Sequence, residues 1–244
     1  MAKASVPGQS KTRLVPPLTP EEAALCNTAF LRDIADSILA VGGRAAIGGY
    51  VAFSPPSAKA FFETTLPAEI GLIDARYSNL GDCLLHTITQ LLDLGHASAV
   101  VINGDSPTLP RSLLSEAAAV LAEPGDRAVL GPASDGGYYL LGLKAKHRRL
   151  FEDIAWSTDQ VARQTLDRAA DLDVAVHVLP EWYDVDDLNG LRVLNQELFN
   201  RRRFSRDIAS NDPRHARALI ETLMQRSGLA DRLSPEHTFT RAAP

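Results

Sequence analysis

The chain has 244 residues, 45% hydrophobic and 23% charged, which is enough apolar material for one large domain with an appendage. Its formal net charge of −5 at pH 7 argues against a nucleic-acid surface built on bulk positive charge. No apolar run approaches the roughly 20 residues that cross a bilayer, and no secretory leader is recognisable. Two cysteines, Cys26 and Cys83, lack metal-ligand spacing and are interpreted as reduced thiols. These features predict a cytoplasmic protein without a membrane span or a nucleic-acid partner, and they leave its oligomeric state open.

Apolar periodicity predicts alternating helices and strands. A first helix is predicted over residues 20–41, because apolar residues recur at helical spacing and a glycine pair ends the pattern. Strands are then predicted at 45–53, 70–75, 97–103, 128–131, 138–143 and 174–179, and helices at 57–64, 80–94, 113–121 and 158–170. This order is typical of the α/β class, with a mostly parallel sheet and helices on both faces.

The last part of the chain has a different character. Two further helices are predicted at 191–203 and 214–226, with turn-forming residues between them, and the polar tail from 234 to 244 is predicted to be disordered. We therefore expect a main domain over residues 1–192 and a helical C-terminal extension over 193–244.

A basic turn near the start of the chain has the composition of a phosphate-binding loop. Gly8 lets the backbone approach a ligand, Thr12 can donate a hydrogen bond, and Lys11 and Arg13 can offset negative charge. The alternative interpretation is a solvated basic turn ahead of a helix, and this segment by itself does not decide between them.

Acidic residues follow two of the predicted strands. Asp105 follows the strand at 97–103 with one glycine between them, at the place where open α/β sheets bind ligands, although it could instead cap the next helix. Asp184 and Asp186 follow the strand at 174–179 and point the same way if the segment stays extended. A helix cap needs only one acidic residue, and residues 184–187 contain three. This excess favours a site for a hard cation such as Mg²⁺ or Mn²⁺.

The connection between the strands at 128–131 and 138–143 is longer than a tight turn requires. Asp135, Gly136 and Gly137 lie in it, Tyr138 begins the following strand, and the two glycines can let backbone lie against a substrate. A hairpin turn explains Asp135 and Gly136 equally well.

Together these segments resemble a known protein family. The motifs are Ala-Lys-Ala-Ser-Val-Pro-Gly at 2–8, Lys-Thr-Arg-Leu at 11–14, Gly-Asp-Ser-Pro at 104–107, Gly-Pro-Ala at 131–133, Asp-Gly-Gly-Tyr-Tyr at 135–139, Trp-Ser-Thr at 156–158 and Asp-Val-Asp at 184–186. In this order they resemble bacterial glycosyltransferase-A-fold proteins known as uncharacterised transferases, and in part as arsenosugar-biosynthesis glycosyltransferases. Wider relatives of that family include 2-phospholactate guanylyltransferase and the molybdenum-cofactor nucleotidyltransferases.

The resemblance implies roles for individual residues. It implies a nucleotide-diphospho-sugar-transferase-like sheet in which Gly8, Lys11, Thr12 and Arg13 bind the nucleotide. Lys11, Arg13 and Asp105 would be catalytic, and the metal ligands would be Asp105 and Asp186, with Asp184 beside them. Residues 135–138 would face the second substrate.

Three positions depart from the family's pattern. The family has an apolar strand directly before the Ala-Lys segment, and Met1 leaves no room for one, which suggests a natural start further upstream. Cys83 replaces an arginine, and Gly190 stands where a second acidic residue is usual. We expect that an added upstream strand would stabilise the protein and tighten nucleotide binding.

The sequence thus predicts a Mg²⁺- or Mn²⁺-dependent transferase that uses a nucleotide or nucleotide-sugar donor and a small acceptor. Glycosyl transfer is preferred because members of the resembling family are named glycosyltransferases. Nucleotidyl transfer with release of pyrophosphate is the alternative, and a degenerate, non-catalytic nucleotide-binding protein is the second alternative.

Overall fold

The computed structural model describes residues 1–43, 46–75, 79–200 and 202–234. Its strands are β1 Tyr50–Phe53, β2 Gly71–Asp74, β3 Ala99–Ile102, β4 Arg127–Pro132, β5 Tyr138–Leu143 and β6 Ala175–Val178. Its α-helices are α1 Pro20–Gly42, α2 Lys59–Thr65, α3 Leu80–Asp93, α4 Arg111–Ala122, α5 Val161–Asp171, α6 Leu188–Phe199, α7 Arg214–Arg226 and α8 Leu229–Leu233. Short 3₁₀ helices lie at Thr12–Leu14, Pro56–Ala58 and Arg148–Phe151.

The strands form two sheets. β1 and β2 pair in parallel, and the larger sheet has the order β3-β5-β4-β6. In the larger sheet β4 and β6 are parallel, while β5 is antiparallel to both β3 and β4. β3, β4 and β6 therefore share one direction, and helices cover the sheet, which confirms the predicted α/β class.

The first residues of the chain lie between the two sheets. The Ala2 N–H donates to the Ala52 carbonyl at 2.8 Å, and the Met1 ammonium donates to the Ile102 carbonyl at 3.2 Å. Successive residues thus bond alternately to β1 and to β3, as in a central strand of a sheet. Behind them a cavity of about 640 Å³ separates the edges of β1 and β3, lined largely by apolar side chains of these strands and of α1, α3 and α4.

The first helix begins where local chemistry dictates. The Thr19 hydroxyl accepts the Glu22 N–H at 3.2 Å, and the Glu22 carboxylate accepts the Thr19 N–H at 2.9 Å, which forms a capping box. Pro20 occupies the first turn, where its missing N–H costs nothing. One face of α1 then packs in the largest apolar cluster together with α4, α6 and α7.

Several predicted boundaries need correction. The strand predicted at 45–53 begins only at Tyr50, and Gly49 just before it packs so closely that a Cβ would lie 2.8 Å from Ile38. The helix predicted at 158–170 starts at Val161, and the one at 191–203 runs from Leu188 to Phe199. Residues 45 and 201 and the tail from 235 lie outside the described residues.

The helical extension packs against the rest of the chain. α6 crosses the predicted boundary at residue 192, and α7 and α8 contribute to the same apolar cluster as α1. The division into two domains stays a prediction. None of the helices in the described part of the chain is long and apolar enough to cross a bilayer.

Candidate functional site

Residues 3–14, here called the basic loop, fold back on themselves. The buried Ser10 hydroxyl accepts the Val6 N–H and donates to the Ala4 carbonyl, both at 2.9 Å. Gly8 lies at the tip with φ +73°, a conformation that favours glycine. The loop therefore has a conformation set by its own polar groups.

Helix α1 holds the start of the basic loop. The Asn27 amide donates to the Lys3 carbonyl at 3.1 Å and to the Ser5 hydroxyl at 2.9 Å. The Thr28 hydroxyl adds a bond to Ser5 at 2.7 Å. These bonds fix the loop relative to the core of the domain.

Lys11 turns from the basic loop into the protein. Its side chain is 5% exposed, and its backbone adopts a left-handed conformation with φ 51°. The ammonium lies 2.6 Å from Asp105 Oδ1 and 2.8 Å from Asp186 Oδ1, and it donates to the Val185 carbonyl at 2.9 Å. The ring of Phe30 lies below it, 5.5 Å from the nitrogen to the centroid.

Two elements bring the carboxylates to Lys11. Asp105 follows β3, and its carbonyl accepts the Val185 N–H at 2.8 Å, which ties the two acidic segments together. Because both carboxylates bond one nitrogen, at 2.6 and 2.8 Å, the two oxygens lie within about 5.4 Å of each other. The predicted convergence of Asp105 and Asp186 is therefore present, while their role as metal ligands stays a prediction.

Buried aromatic residues anchor the segment that carries Asp184 and Asp186. The Trp182 indole N–H donates to the Thr108 hydroxyl at 3.2 Å, and that hydroxyl donates to the Tyr183 oxygen at 2.9 Å. The Tyr183 hydroxyl in turn donates to Glu197 of α6 at 2.8 Å. Sequence reasoning missed this network, although Thr108 stands beside the Gly-Asp-Ser-Pro motif that was singled out.

Neighbouring aspartates of the acidic segment make different contacts. Asp187 caps α6, because its carboxylate accepts the N–H groups of Asn189 and Gly190, both at 2.9 Å. Asp186 is thereby left free to face Lys11, and Arg13 reaches its other oxygen at 3.4 Å. Arg13 is 69% exposed, as a phosphate contact should be, whereas the Lys11 side chain is only 5% exposed.

The charges in this group shift one another's pKa values. Burial raises the pKa of Asp105, and the charge of Asp186 adds to this rise against the opposing effect of Lys11. Burial also acts to raise the pKa of Asp186, but Lys11 and Arg13 outweigh it and hold that pKa below its usual value. Burial would lower the pKa of Lys11, yet the two carboxylates raise it, so the group is ionised at neutral pH.

Asp184 stands beside this group and near the loop between β4 and β5. Burial raises its pKa to about 6, helped by the charges of Asp135, Asp186 and Asp105. Ala133 and Trp182 form an isolated parallel β-bridge, which places this loop next to the acidic segment. Asp135 and Asp184 therefore belong to the same electrostatic neighbourhood.

The remaining predicted residues of that loop have structural contacts. The Asp135 carboxylate accepts the Gly137 N–H at 2.9 Å, which closes a turn. Gly136 has φ +89° and lies against the chain's own backbone, since a Cβ there would be 2.2 Å from the Asp159 carbonyl oxygen. Tyr138 packs in an apolar cluster. A role for these residues in substrate binding stays a prediction.

A second group of ionisable side chains lies away from this site, where α1 meets α7. Both oxygens of the buried Asp33 accept backbone N–H groups, from His215 at 2.9 Å and from Ala216 at 2.8 Å. Asp36 bonds Arg214 at 2.8 Å and the His215 ring at 3.2 Å. Burial raises the pKa of Asp33 to about 6, against the effect of its backbone bonds. The three groups Asp33, Asp36 and His215 are close enough for a cation, but their bonds identify them as the anchor of α7.

Residues 38–158 match the model of a family described as "Uncharacterized protein conserved in bacteria (DUF2064)". The match covers just under half of the chain. It includes Asp105 and the loop at 135–138, but neither the basic loop nor the acidic segment after β6. No curated protein matches the sequence.

Solved structures show the same fold. A protein from Desulfovibrio desulfuricans G20, described as a candidate nucleotide-diphospho-sugar transferase, is 26% identical with a TM-score of 0.76, over 92% of this chain and 93% of that one. A CMP:2-keto-3-deoxy-manno-octonic acid synthetase complexed with CTP is 10% identical with a TM-score of 0.50, over 71% of this chain and 88% of that one. The first similarity confirms the predicted nucleotide-diphospho-sugar-transferase-like fold, and the second shows the fold alone.

Proposed function

We propose that this chain is a transferase that binds a nucleotide-activated donor at the basic loop and passes a glycosyl group from it to a small acceptor. The observation that carries the proposal is the convergence of Lys11, Arg13, Asp105 and Asp186 on one point. The similarity to the D. desulfuricans protein, which extends over nearly the whole of both chains, supports the use of a nucleotide.

A divalent cation, Mg²⁺ or Mn²⁺, fits the residues present. Asp105 and Asp186 would hold it, with Asp184 beside them, and such cations favour one or two carboxylates completed by phosphate oxygens and water. The pair already surrounds a positive group, because the Lys11 ammonium lies between the two carboxylates. When bound, the metal would offset the charge that develops on the phosphates.

The chain's own residues would position the donor. Arg13 is exposed and contacts the acidic group only at 3.4 Å, so it can turn to a phosphate at little cost. The turn at Asp135 borders the acidic group, which makes it a candidate wall for the acceptor. Since group transfer from a nucleotide needs little covalent chemistry from the protein, positioning and electrostatics would supply most of the rate.

The decisive experiment identifies the product. The protein is incubated with Mn²⁺ and UDP-glucose or GDP-mannose, or with each of the four ribonucleoside triphosphates, and both nucleoside diphosphate and pyrophosphate are measured. With water taking the glycosyl group in the absence of the natural acceptor, we expect nucleoside diphosphate from a sugar nucleotide. This product should be lost in Asp105→Asn and retained in the control Asp171→Asn, an exposed aspartate of α5.

Other outcomes would assign a different function. Pyrophosphate from a triphosphate would replace glycosyl transfer by nucleotidyl transfer, for which the same basic and acidic parts would serve. Binding of none of these nucleotides, measured by thermal shift with Mn²⁺, would overturn the proposal altogether. The finer assignments implied by the family resemblance, to arsenosugar biosynthesis and to particular guanylyl- or cytidylyltransferases, stay predictions.

A further inference from the structure

The Lys11 ammonium is held by three partners inside the protein. It donates hydrogen bonds to Asp186 Oδ1 at 2.8 Å and to the Val185 carbonyl at 2.9 Å, and it forms an ion pair with Asp105 Oδ1 at 2.6 Å. Because the Lys11 side chain is 5% exposed between these partners, a phosphate could bind the ammonium only after it leaves at least one of them. In this arrangement Lys11 therefore cannot perform the phosphate contact that its place in the basic loop predicts.

The ammonium also occupies the position that a metal would need. Mg²⁺ requires its oxygen ligands at about 2.0–2.1 Å, closer than the ammonium stands to either carboxylate. Two cations that share the same pair of oxygens would repel each other at such a short separation. Binding of metal by Asp105 and Asp186 and retention of Lys11 between them are thus competing arrangements.

We propose that Lys11 is a built-in counter-ion of the acidic pair, which a divalent cation displaces so that the ammonium becomes free to bind the donor's phosphates. This inference rests on the proposed function, since it takes Asp105 and Asp186 to be the metal ligands. In the free protein Lys11 neutralises two carboxylates that would otherwise repel each other at close range. Once a cation replaces it, the same positive charge serves the nucleotide.

The two basic residues of the loop differ in a way that this exchange explains. The Lys11 side chain is 5% exposed and lies between the carboxylates, whereas Arg13 is 69% exposed and touches only the outer oxygen of Asp186. A lysine carries its charge on a flexible four-carbon stem, so the ammonium can move while the backbone stays in place. Arg13 can bind a phosphate from its present position without vacating the metal site.

The exchange makes metal and nucleotide binding cooperative. A bound phosphate offers Lys11 a new partner and so lowers the cost of leaving the carboxylates, and by linkage metal promotes nucleotide binding equally. Removal of the ammonium should therefore act in opposite directions on the two ligands. Metal alone should bind more tightly, and nucleotide in the presence of metal should bind more weakly.

The test is calorimetric titration of Mn²⁺ alone into the wild-type protein, Lys11→Met and Arg13→Met. Arg13→Met is the matched control, because it removes the same charge from the same carboxylate group without emptying the position between the acids. We expect Lys11→Met to bind Mn²⁺ about tenfold or more tightly than wild type, the equivalent of one charge-assisted bond, and Arg13→Met to gain less than about threefold. With saturating Mn²⁺, Lys11→Met should bind UDP or CTP about tenfold more weakly than wild type.

Stability gives a second reading that does not depend on nucleotide. Without metal, Lys11→Met should have a lower melting temperature than wild type. Mn²⁺ should raise the melting temperature of the variant by more than it raises that of wild type. If the variant is unfolded without metal, it should fold when Mn²⁺ is added, and failure to fold at any Mn²⁺ concentration would refute the proposal.

The remaining outcomes separate this inference from the proposed function. Unchanged or weaker Mn²⁺ binding by Lys11→Met, or an equal gain in Arg13→Met, overturns the counter-ion role while leaving the metal site intact. Absence of Mn²⁺ binding in all three proteins overturns both the counter-ion role and the metal site.

Discussion

Gly190 provides a sharp test of how the acidic segment is positioned. It lies in the first turn of α6, where a Cβ would stand 2.4 Å from the Asp184 carbonyl oxygen and 3.0 Å from Val185 Cα. The chain would have to move apart by roughly 0.6 Å or more before the first contact reached 3.0 Å. Both neighbours are backbone atoms, so no side-chain rotation can relieve the overlap. The usual acidic residue of the resembling family has no room here for the same reason.

Gly190→Ala sets two effects of opposite sign against each other. Alanine is a better helix former than glycine by up to about 1 kcal/mol, whereas overpacking typically costs about 1–3 kcal/mol. We expect the clash to win, with a free energy of unfolding lowered by about 1–2 kcal/mol in urea titrations. Because the shift moves Asp184 and its neighbours, the affinity for Mn²⁺ should fall about tenfold or more, as displacements approaching 1 Å can do at a preorganised site.

The adjacent exposed residue supplies the control for this variant. Asn189→Ala also improves helix propensity, but its side chain points into solvent, so stability should stay within about 0.5 kcal/mol and Mn²⁺ affinity should not change. The reasoning is refuted if Gly190→Ala is as stable as wild type, or more stable, and binds Mn²⁺ normally.

Three further predictions follow from other contacts. Arg13→Ala should weaken nucleotide binding in calorimetry about tenfold without lowering the melting temperature, while the similarly exposed Arg148→Ala should leave affinity unchanged; equal effects of both would contradict a specific contact. The pKa of Asp33 is raised in the folded state to about 6 from 3.8, so the folded protein holds a proton that the unfolded chain releases, and stability should fall as pH rises from about 4 to about 6 by up to roughly 3 kcal/mol. Asp33→Asn should remove this slope, and an unchanged slope in urea titrations would refute the assignment. About six apolar β-branched residues fused ahead of Met1 should fill the cavity between β1 and β3, and should raise both the urea midpoint and the nucleotide affinity. A Gly-Ser segment of equal length should raise neither, and equal values for the two fusions would refute the idea.

Features that depend on local pattern could be predicted from the sequence. The helix predicted at 214–226 and the strand at 138–143 coincide with α7 and β5, because their apolar periodicity and their end signals agree. The convergence of Asp105 and Asp186 was also within reach, since each follows a strand at the edge where such sheets bind ligands.

Features that depend on long-range contacts were not predictable in the same way. The bond from Lys11 to the Val185 carbonyl joins residues 174 positions apart, and nothing near Lys11 in the sequence distinguishes a carboxylate partner from a phosphate partner. Gly136 shows the same limit, because its sequence context allows a close approach of backbone but does not indicate that Asp159 of the same chain makes it.

The sequence left open whether the aspartates at 184–187 cap a helix or bind a cation, and the start of α6 connects the two roles. Asp187 caps the helix, and this fixes the first turn, which brings Gly190 against the Asp184 carbonyl. Val185, between Asp184 and Asp186, is tied through its N–H to Asp105 at 2.8 Å. The capping residue and the candidate metal ligands are therefore joined through backbone contacts, so a movement of the helix end would be passed to the segment that carries Asp184 and Asp186. A change at the cap should consequently reach the Lys11 site, even though Asp187 does not contact Lys11.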